Sequence, residues 1–286
     1  MRLTALAPAK INRELRVGGL RPDGYHEIRS RMVSIDLADR LTVASSDSLE
    51  LVCDVPSVPS GEENLVVKAA RLLAEDAGVP ARARLILEKR VPMGGGLGGG
   101  SADAAIALRL LARLWEIPED PGRIEAIAAR LGSDVPFFLT GGEAEVTGRG
   151  EVVKPVEDSA PADLVLLVPP FGVSTAAVYR EFSGQGKLPE RLEIDLPGRR
   201  AFLGPNDLAP SVLVTEPRMA NYVRSAAALT TDTAISGSGG TIVLHGAPAD
   251  AVARLSARHP EALVATCRTL SRSDYRRHSE PVRGTP

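Results

Sequence analysis

The stretch Pro92-Met93-Gly94-Gly95-Gly96-Leu97-Gly98-Gly99-Gly100-Ser101-Ala102-Asp103 decides how the rest of the chain is read. Six of the seven residues from Gly94 to Gly100 are glycine, and such a run loses much conformational entropy on folding. A plain strand-to-helix link does not need it, so something comes close to this backbone. Ala83, Leu85 and Leu87 alternate with Arg84, Ile86 and Glu88, which predicts a strand before the loop. The Ala/Leu-rich run from Ser101 to Leu114 predicts a helix after it. Bare N–H groups feeding a helix N-terminus form an anion site, because the amides point outward and the helix dipole adds partial positive charge. Phosphate is the natural occupant. A flexible lid is the competing reading, and the close framing by strand and helix disfavours it.

Two common phosphate folds do not fit. A Walker A loop ends in Gly-Lys-Ser/Thr, and Gly100-Ser101 has no lysine. Gly94-x-Gly96-x-x-Gly99 matches the dinucleotide pattern, but that fold needs a strand after the helix, ending in an acid about 20 residues on. Here Pro118-Glu119-Asp120-Pro121 follows instead, and then another helix.

Outward from the loop, strands are predicted at Met32–Ile35, Arg40–Val43 and Leu49–Val52. Asn64 opens a helix with Leu65, Ala69, Leu72 and Leu73 on its apolar positions, stopped by Gly78. Asp120 caps a helix through Pro121, Ile124, Ile127, Ala128 and Leu131, ended by Gly132. Glu143 to Lys154 reads as a hairpin turning at Gly148-Arg149-Gly150. The acidic, proline-bounded stretch Pro155 to Pro161 reads as a junction. Beyond it come a strand over Asp163–Val168, a helix from Ser174, a Gly/Pro-rich stretch at 183–205 and a helix near Pro217–Leu229. A strand over Thr241–Leu244, a helix over Pro248–His259 and a strand over Leu263–Leu270 follow. Mixed strands and helices give an α+β class in two lobes, 1–156 and 157–273, with a polar, Arg-rich and flexible tail at 274–286.

Composition sets the class. The chain has 286 residues, 44% hydrophobic and 24% charged, which is the balance of a soluble globular protein with a sizeable core. Net charge is -2, so no global basic field draws in nucleic acid, and none is expected as a partner. No apolar run approaches the roughly 20 residues of a membrane span, and Pro8 and Lys10 leave no signal-peptide core near Met1. Cys53 and Cys267 lack metal spacing, so a reduced, cytoplasmic protein is the expectation. Only five of the 34 basic residues are lysines. A lysine in an apolar setting, such as Lys10 after Pro8-Ala9, therefore calls for a reason.

The segment Pro92 to Ala105 resembles the phosphate-binding motif of the GHMP kinase superfamily, which includes galactokinase, homoserine kinase, mevalonate kinase and phosphomevalonate kinase. Ala7-Pro8-Ala9-Lys10-Ile11-Asn12 is similar to the N-terminal motif of that family, and Ile235-Ser236-Gly237-Ser238-Gly239-Gly240-Thr241 to its C-terminal glycine motif. Within the family, Arg21-Pro22-Asp23-Gly24-Tyr25-His26-Glu27 resembles the branch acting on 4-diphosphocytidyl-2-C-methyl-D-erythritol. Leu131-Gly132-Ser133-Asp134-Val135-Pro136-Phe137-Phe138 and Glu63-Asn64-Leu65 agree with it.

The resemblance implies a GHMP kinase fold, with an N-terminal ribosomal-protein-S5-like lobe and a C-terminal ferredoxin-like lobe. It implies an enzyme that uses ATP and Mg²⁺ to phosphorylate the 2-hydroxyl of that cytidyl alcohol, a step of non-mevalonate isoprenoid biosynthesis. The expected partner is a small molecule, and the chain is a monomer or homodimer. By the same resemblance Asp134 is the general base, with capping of a short helical turn as the competing reading. Lys10 is the cation beside Asp134 and the reacting oxygens. Pro92, Gly94, Gly95, Gly96, Leu97, Gly98, Gly99, Gly100 and Ser101 hold the triphosphate, and Asn64 and Lys89 touch the nucleotide. Ser101 is read equally as a helix N-cap or as a group at phosphate or magnesium, and Asp103 as a first-turn acid complementing the dipole, with a metal-side role as its alternative. Tyr25 stacks on the cytosine, His26 binds the base edge and Asn12 assists at base or sugar. Tyr179 supplies the opposite ring face or simply packs the core. No metal ligand is singled out.

Two other functions share these features. A GHMP kinase for another small alcohol, mevalonate- or homoserine-like, would not need the Pro22–His26 block. A non-catalytic nucleotide or sugar-phosphate sensor would have no use for Asp134 beside Lys10.

Overall fold

The structure is a computed structural model that describes residues 1–183, 192–196 and 199–284. Its elements run in the order β1 (Arg2–Leu20), β2 (His26–Ala44), β3 (Leu49–Cys53), α1 (Leu65–Ala77), β4 (Ala83–Glu88), α2 (Gly99–Leu114), α3 (Pro121–Leu131), α4 (Val135–Thr140), β5 (Glu143–Thr147) and β6 (Val152–Pro155). Then come β7 (Asp163–Val168), α5 (Thr175–Ser183), β8 (Leu192–Leu196), β9 (Arg199–Leu203), α6 (Ala209–Thr215), α7 (Met219–Ala227), β10 (Asp232–Ile235), β11 (Ile242–His245), α8 (Ala251–Arg258), β12 (Leu263–Arg268), α9 (Arg272–His278) and β13 (Val282–Arg283). Part of the Gly/Pro-rich stretch singled out in the sequence, residues 184–191 and 197–198, lies outside the described residues. No helix among the described residues is long and apolar enough to cross a membrane.

The strands form two sheets. One has the order β13-β1-β2-β4-β3, with β5 and β6 attached to the other half of β2; the second runs β12-β7-β11-β10-β9-β8. Each sheet has its own helix-covered core. Helices α1 to α4 cover the first through an Ala/Leu-rich cluster that includes Leu85, Leu87, Ile106 and Leu110. The second sheet packs against α5 to α8 through residues such as Leu167, Val178, Val223 and Leu255. A third cluster joins the sheets face to face, with Ala9, Ile11, Val33 and Ile35 against Leu164, Leu166, Val168 and Val243. With ten aromatics in the chain, small and branched aliphatics do most of this filling.

Several helices begin and end on local chemistry. Asn64 accepts from Val66 N at 2.8 Å and caps α1, and Gly78 ends it in the left-handed region at φ 66°. Asp120 accepts from Arg123 N at 3.1 Å and caps α3. The strands differ more from expectation. The two runs Met32–Ile35 and Arg40–Val43 belong to one long strand, β2, and Lys10 lies in the middle of the long strand β1. Strands β1 and β2 pair antiparallel, with a register shift between Pro8↔Ala38 and Lys10↔Ser34. Across that shift the pleat changes partners. Ala5 and Ala7 pack into the helix-side core, whereas Ala9 and Ile11 pack against the second sheet. Such an irregularity re-aims the side chains that follow it, and Lys10 and Asn12 now alternate with Ala9 and Ile11.

The expected flexible tail at 274–286 is wrong for the residues described. Tyr275 of α9 is fully buried, and its hydroxyl donates to Phe138 O at 2.5 Å. Gly141, at φ 63°, leaves room for the Tyr275 ring: a Cβ there would fall 2.0 Å from Cδ1. Strand β13 adds to β1 through Leu3↔Arg283. The junction stretch Pro155–Pro161 is held by specific hydrogen bonds. Val156 N and Ser159 N bond to the carbonyl and carboxylate of buried Glu143, and Asp158 accepts from Glu143 N and Arg272 N.

Candidate active site

Lys10 sits where the re-aimed strand meets the glycine loop. Its backbone N donates to Leu97 O at 2.9 Å. Its ammonium donates to Asn12 Oδ1 at 2.7 Å and to Gly96 O at 2.9 Å, and lies 3.4 Å from Asp134 Oδ2. The lysine is 4% exposed, so this charge is compensated by oxygens rather than by water. Asn12 is held in turn: its Nδ2 donates to Ser30 Oγ at 2.7 Å and its backbone N to Ser236 Oγ at 3.3 Å.

Asp134 stands at the N-cap position of α4 with αR backbone angles and makes no capping hydrogen bond. The capping reading therefore fails, and the carboxylate is left to Lys10 and the cleft. Tyr179 of α5 faces the same space. Burial, and then the charge of Asp134, push its phenol up to about 12.

Helix α2 starts at Gly99, with Gly98 as its N-cap in the left-handed region at φ 71° and no side chain capping it. No side chain therefore satisfies the amides of its first turn, which sit at the positive end of an aligned dipole. Ser101 is the third residue of the helix and not its cap, so the capping reading is removed here too. Part of what comes close to the glycine run is protein. Gly96 has φ 76°, and a Cβ on it would lie 2.2 Å from Ser236 O. A Cβ on Gly239 would meet Gly96 N at 2.1 Å. Thr241 N donates to Gly95 O at 3.1 Å and Ser236 Oγ to Gly96 O at 3.1 Å. The two glycine motifs therefore pack backbone to backbone. Gly100 is different, since its Cβ would meet only Leu65 Cδ1 at 3.8 Å.

Not every expected loop contact reaches the cleft. Gly96, Gly98 and Ser101 line it beside Lys10 and Asp134, whereas Leu97 is buried in the core between the sheets. Asn64 is occupied as the α1 cap and also donates to Pro59 O at 2.7 Å. Lys89, expected at the nucleotide, is a buried structural cation. Its ammonium is bound by Asp39 and, at 2.8 Å, by Asp103. Asp39 also accepts from Arg90 N and Val91 N, at 2.5 and 2.8 Å. Burial raises Asp103 to about 8; the Lys89 charge beside it opposes the rise and the Asp39 carboxylate adds to it. Burial alone would lower Lys89, but Asp103 and Asp39 hold it above its ordinary value. Asp103 is thus a buried partner in this cluster, not an exposed acid facing the dipole.

The other end of the cleft is aromatic. Tyr25 lies in the turn between β1 and β2, 51% exposed, with the Arg149 guanidinium 5.1 Å from its ring centre. The His26 ring stacks on Tyr179 at 5.8 Å and 27°, and Phe182 meets it edge-on at 5.5 Å. His26 Nδ1 lies 2.9 Å from Gly18 O, which can only accept, so that nitrogen carries a proton. Nε2 lies 2.7 Å from Ser183 Oγ. Tyr179 joins the edge of the second core and also lines the cleft.

These groups share one cavity of about 800 Å³, with Leu15, Ile28 and Met32 on its apolar wall. That size accepts a nucleotide-bearing small molecule. Sequence reading missed Arg149, Arg180 and the hydroxyl pair Thr175–Ser238, 2.8 Å apart, which also line it. An arginine in a Gly-Arg-Gly turn carries no signal to separate it from a solvated one.

A family profile, the GHMP kinases N terminal domain, matches residues 64–142. The 4-diphosphocytidyl-2-C-methyl-D-erythritol kinase of Pelotomaculum thermopropionicum is 50% identical over 184 residues, 64% of this chain and 64% of that one. The Salinibacter ruber protein of the same name is 40% identical over 256 residues, 86% of this chain and 90% of that one. The first of these matches, like one to Streptococcus equi at 62%, spans just under two thirds of the relative's length. A crystal structure of 4-(cytidine 5'-diphospho)-2C-methyl-D-erythritol kinase superposes with a TM-score of 0.72 at 36% identity, covering 92% of this chain and 98% of that one. Homoserine kinase from Cytophaga hutchinsonii, 18% identical, shares the fold with a TM-score of 0.67 over 94% of this chain and 95% of that one.

Proposed function

This chain belongs to the 4-diphosphocytidyl-2-C-methyl-D-erythritol kinase family of the GHMP kinases, and from that membership we propose that it transfers the γ-phosphoryl group of ATP to the 2-hydroxyl of that cytidyl alcohol. The products are the 2-phosphate and ADP, in non-mevalonate isoprenoid precursor synthesis. The observation that carries the reading is the Lys10–Asp134 pair, 3.4 Å apart beside Gly96 and in one cleft with Tyr25, His26 and Tyr179.

Each residue then has a task. The free amides at the start of α2 hold phosphate oxygens in place. Asp134 takes the proton of the 2-hydroxyl as the oxygen attacks the γ-phosphorus. A carboxylate is a weak base for an alcohol. That is tolerable, because the transition state of phosphoryl transfer is loose and positioning supplies most of the rate. Lys10 pairs with Asp134 and offsets charge on the moving phosphoryl group. Tyr25 and the His26–Tyr179 stack bracket the base, and His26 Nε2 exchanges Ser183 for the base edge.

Among the described residues no group of three or more His, Cys, Asp or Glu could hold a metal by itself. Mg²⁺ would enter this cleft carried on the triphosphate, and the Ser101 hydroxyl would be the protein oxygen to hold it. When bound, it supplies neutralisation of the phosphate charge. The free thiols of Cys53 and Cys267 support a reducing, cytoplasmic setting.

The test is coupled ADP release by the purified chain across the cytidyl alcohol, mevalonate, homoserine, galactose and no acceptor. The cytidyl alcohol is expected to be the one acceptor with high kcat/KM. Preference for mevalonate or homoserine would replace this reading with the generic-kinase one, and no turnover with any acceptor would favour the sensor.

A further inference from the structure

Helix α2 begins at the phosphate loop, but its other end meets the C-terminal segment. Arg109 and Arg113 lie one turn apart on the same face of α2. Together with Leu139, Tyr275, Arg276 and Glu280 they line a separate, open pocket of about 280 Å³, in which Arg109 is partly buried and Arg113, Arg276 and Glu280 are exposed. Arg109 is ten residues along the helix from Gly99, or about 15 Å at 1.5 Å per residue, so this is not the phosphate loop.

The charges here do not balance. Among the described residues, none of Arg109, Arg113 and Arg276 has a carboxylate within ion-pair distance. Arg109 makes one hydrogen bond, from Nη1 to Ser279 Oγ at 2.9 Å, although a guanidinium has five N–H donors. The Tyr275 hydroxyl is committed to Phe138 O. Glu280 is the single acid on the wall, against three guanidiniums. Burial of Arg109, with Arg113 and Arg276 beside it, holds its guanidinium below its ordinary value, partly offset by Tyr275 and Glu280. A partly buried cation with so few acceptors is costly, and planar N–H forks match tetrahedral oxyanions well.

We propose that this pocket binds a phosphate-class oxyanion, held by Arg109, Arg113 and Arg276. Such an ion would tie α9 to α2 and stabilise the folded chain, whatever the acceptor alcohol of the kinase. Inorganic phosphate and a phosphomonoester share this chemistry.

The full chain is melted with increasing inorganic phosphate, or glycerol 3-phosphate in a parallel arm. Ionic strength is balanced with sodium chloride, and saturating ADP occupies the phosphate loop. The melting temperature should rise saturably, by about 3 °C at ten times the dissociation constant. The Arg113→Gln/Arg276→Gln double variant should lose that rise at unchanged kcat. Glu280→Gln, which removes a repelling charge, should lower the half-saturating concentration several-fold. Half-saturation at lower concentration by the ester or by the free ion identifies which source the site takes, and either supports it. The proposal is overturned by an equal rise in the double variant or by a rise no larger than chloride alone produces. It is also overturned if Glu280→Gln melts lower without phosphate and gains no response, since Glu280 would then be the pocket's own counter-ion.

Discussion

The ammonium of Lys10 lies 3.4 Å from Asp134 Oδ2 and 2.9 Å from Gly96 O, so one buried cation joins the first strand, the phosphate loop and the start of α4. A Cβ on Gly98 would strike Phe138 of α4 at 2.8 Å and Lys10 Cε at 3.2 Å, which shows how closely the three pieces meet. The geometry is maintained by the packing of Phe138, whose carbonyl accepts from Tyr275 of the C-terminal helix.

Asp134→Asn keeps the shape of the side chain but removes its basicity, while Lys10 retains Asn12 and Gly96 as acceptors. The expected result is a fall in kcat of about 10²–10⁴-fold with nucleotide affinity nearly intact. Steady-state kinetics and ADP titration measure the two. A kcat within a few-fold of the parent would take Asp134 out of the role of base.

Tyr25→Ala removes an exposed ring at the cleft mouth. Loss of stacking on one base should weaken the cytidyl substrate by roughly 1–3 kcal/mol, with KM for ATP unchanged. An unaltered KM for the cytidyl substrate would mean that the base stacks elsewhere or is not recognised.

The loop glycines divide by what they approach, and two alanine substitutions separate them. Gly96→Ala drives a Cβ into Ser236 O in a left-handed conformation and should destabilise by at least about 2 kcal/mol in chemical denaturation. Gly100→Ala meets open space in the first turn of α2 and should stabilise by about 0.5–1 kcal/mol. Because no protein atom requires glycine at position 100, its bareness is left to the ligand, and KM for ATP should rise several-fold in that variant. A lower melting temperature for Gly100→Ala would contradict this division.

The buried Asp39–Lys89–Asp103 cluster makes stability depend on pH. Asp103 titrates in the folded state at about 8, above an unfolded carboxyl at 3.8. A carboxyl with a raised folded-state pKa contributes most below its unfolded value. Its contribution is lost as pH climbs from about 4 towards 8, because the folded state then holds a proton that the unfolded state has released. Asp103→Asn mimics the protonated form, so it should be close to neutral at pH 5 and more stable than the parent at pH 9. Denaturant melts at the two pH values test this. Equal destabilisation at both would show that Asp103 is held as a carboxylate.

Some of this molecule was readable because its causes are local. Asn64 and Gly78 bracket α1, and Asp120 with Pro121 starts α3, through contacts spanning two or three residues. Strand β1 was not readable, because its Ala, Pro, Lys and Asn residues are poor strand formers; long-range pairing with β2 and burial on both faces hold them extended. Helix α9 was misread as loose tail, because its polar run hides one anchor, Tyr275, whose value depends on a hole left by Gly141.

By itself the sequence determined the phosphate loop, the helices that carry their own caps, and the family to which the spacing of Lys10, Tyr25-His26, the loop and Asp134 is similar. Only the tertiary structure decided that Lys10 and Asp134 meet, that Lys89 is consumed by Asp39 and Asp103, and which glycines are pressed against protein and which face open space. The reason is that a cap or a turn is settled by neighbours along the chain, whereas the partner of a buried charge is settled by the shift in strand register and the sheet-on-sheet packing that carry distant residues to the same place.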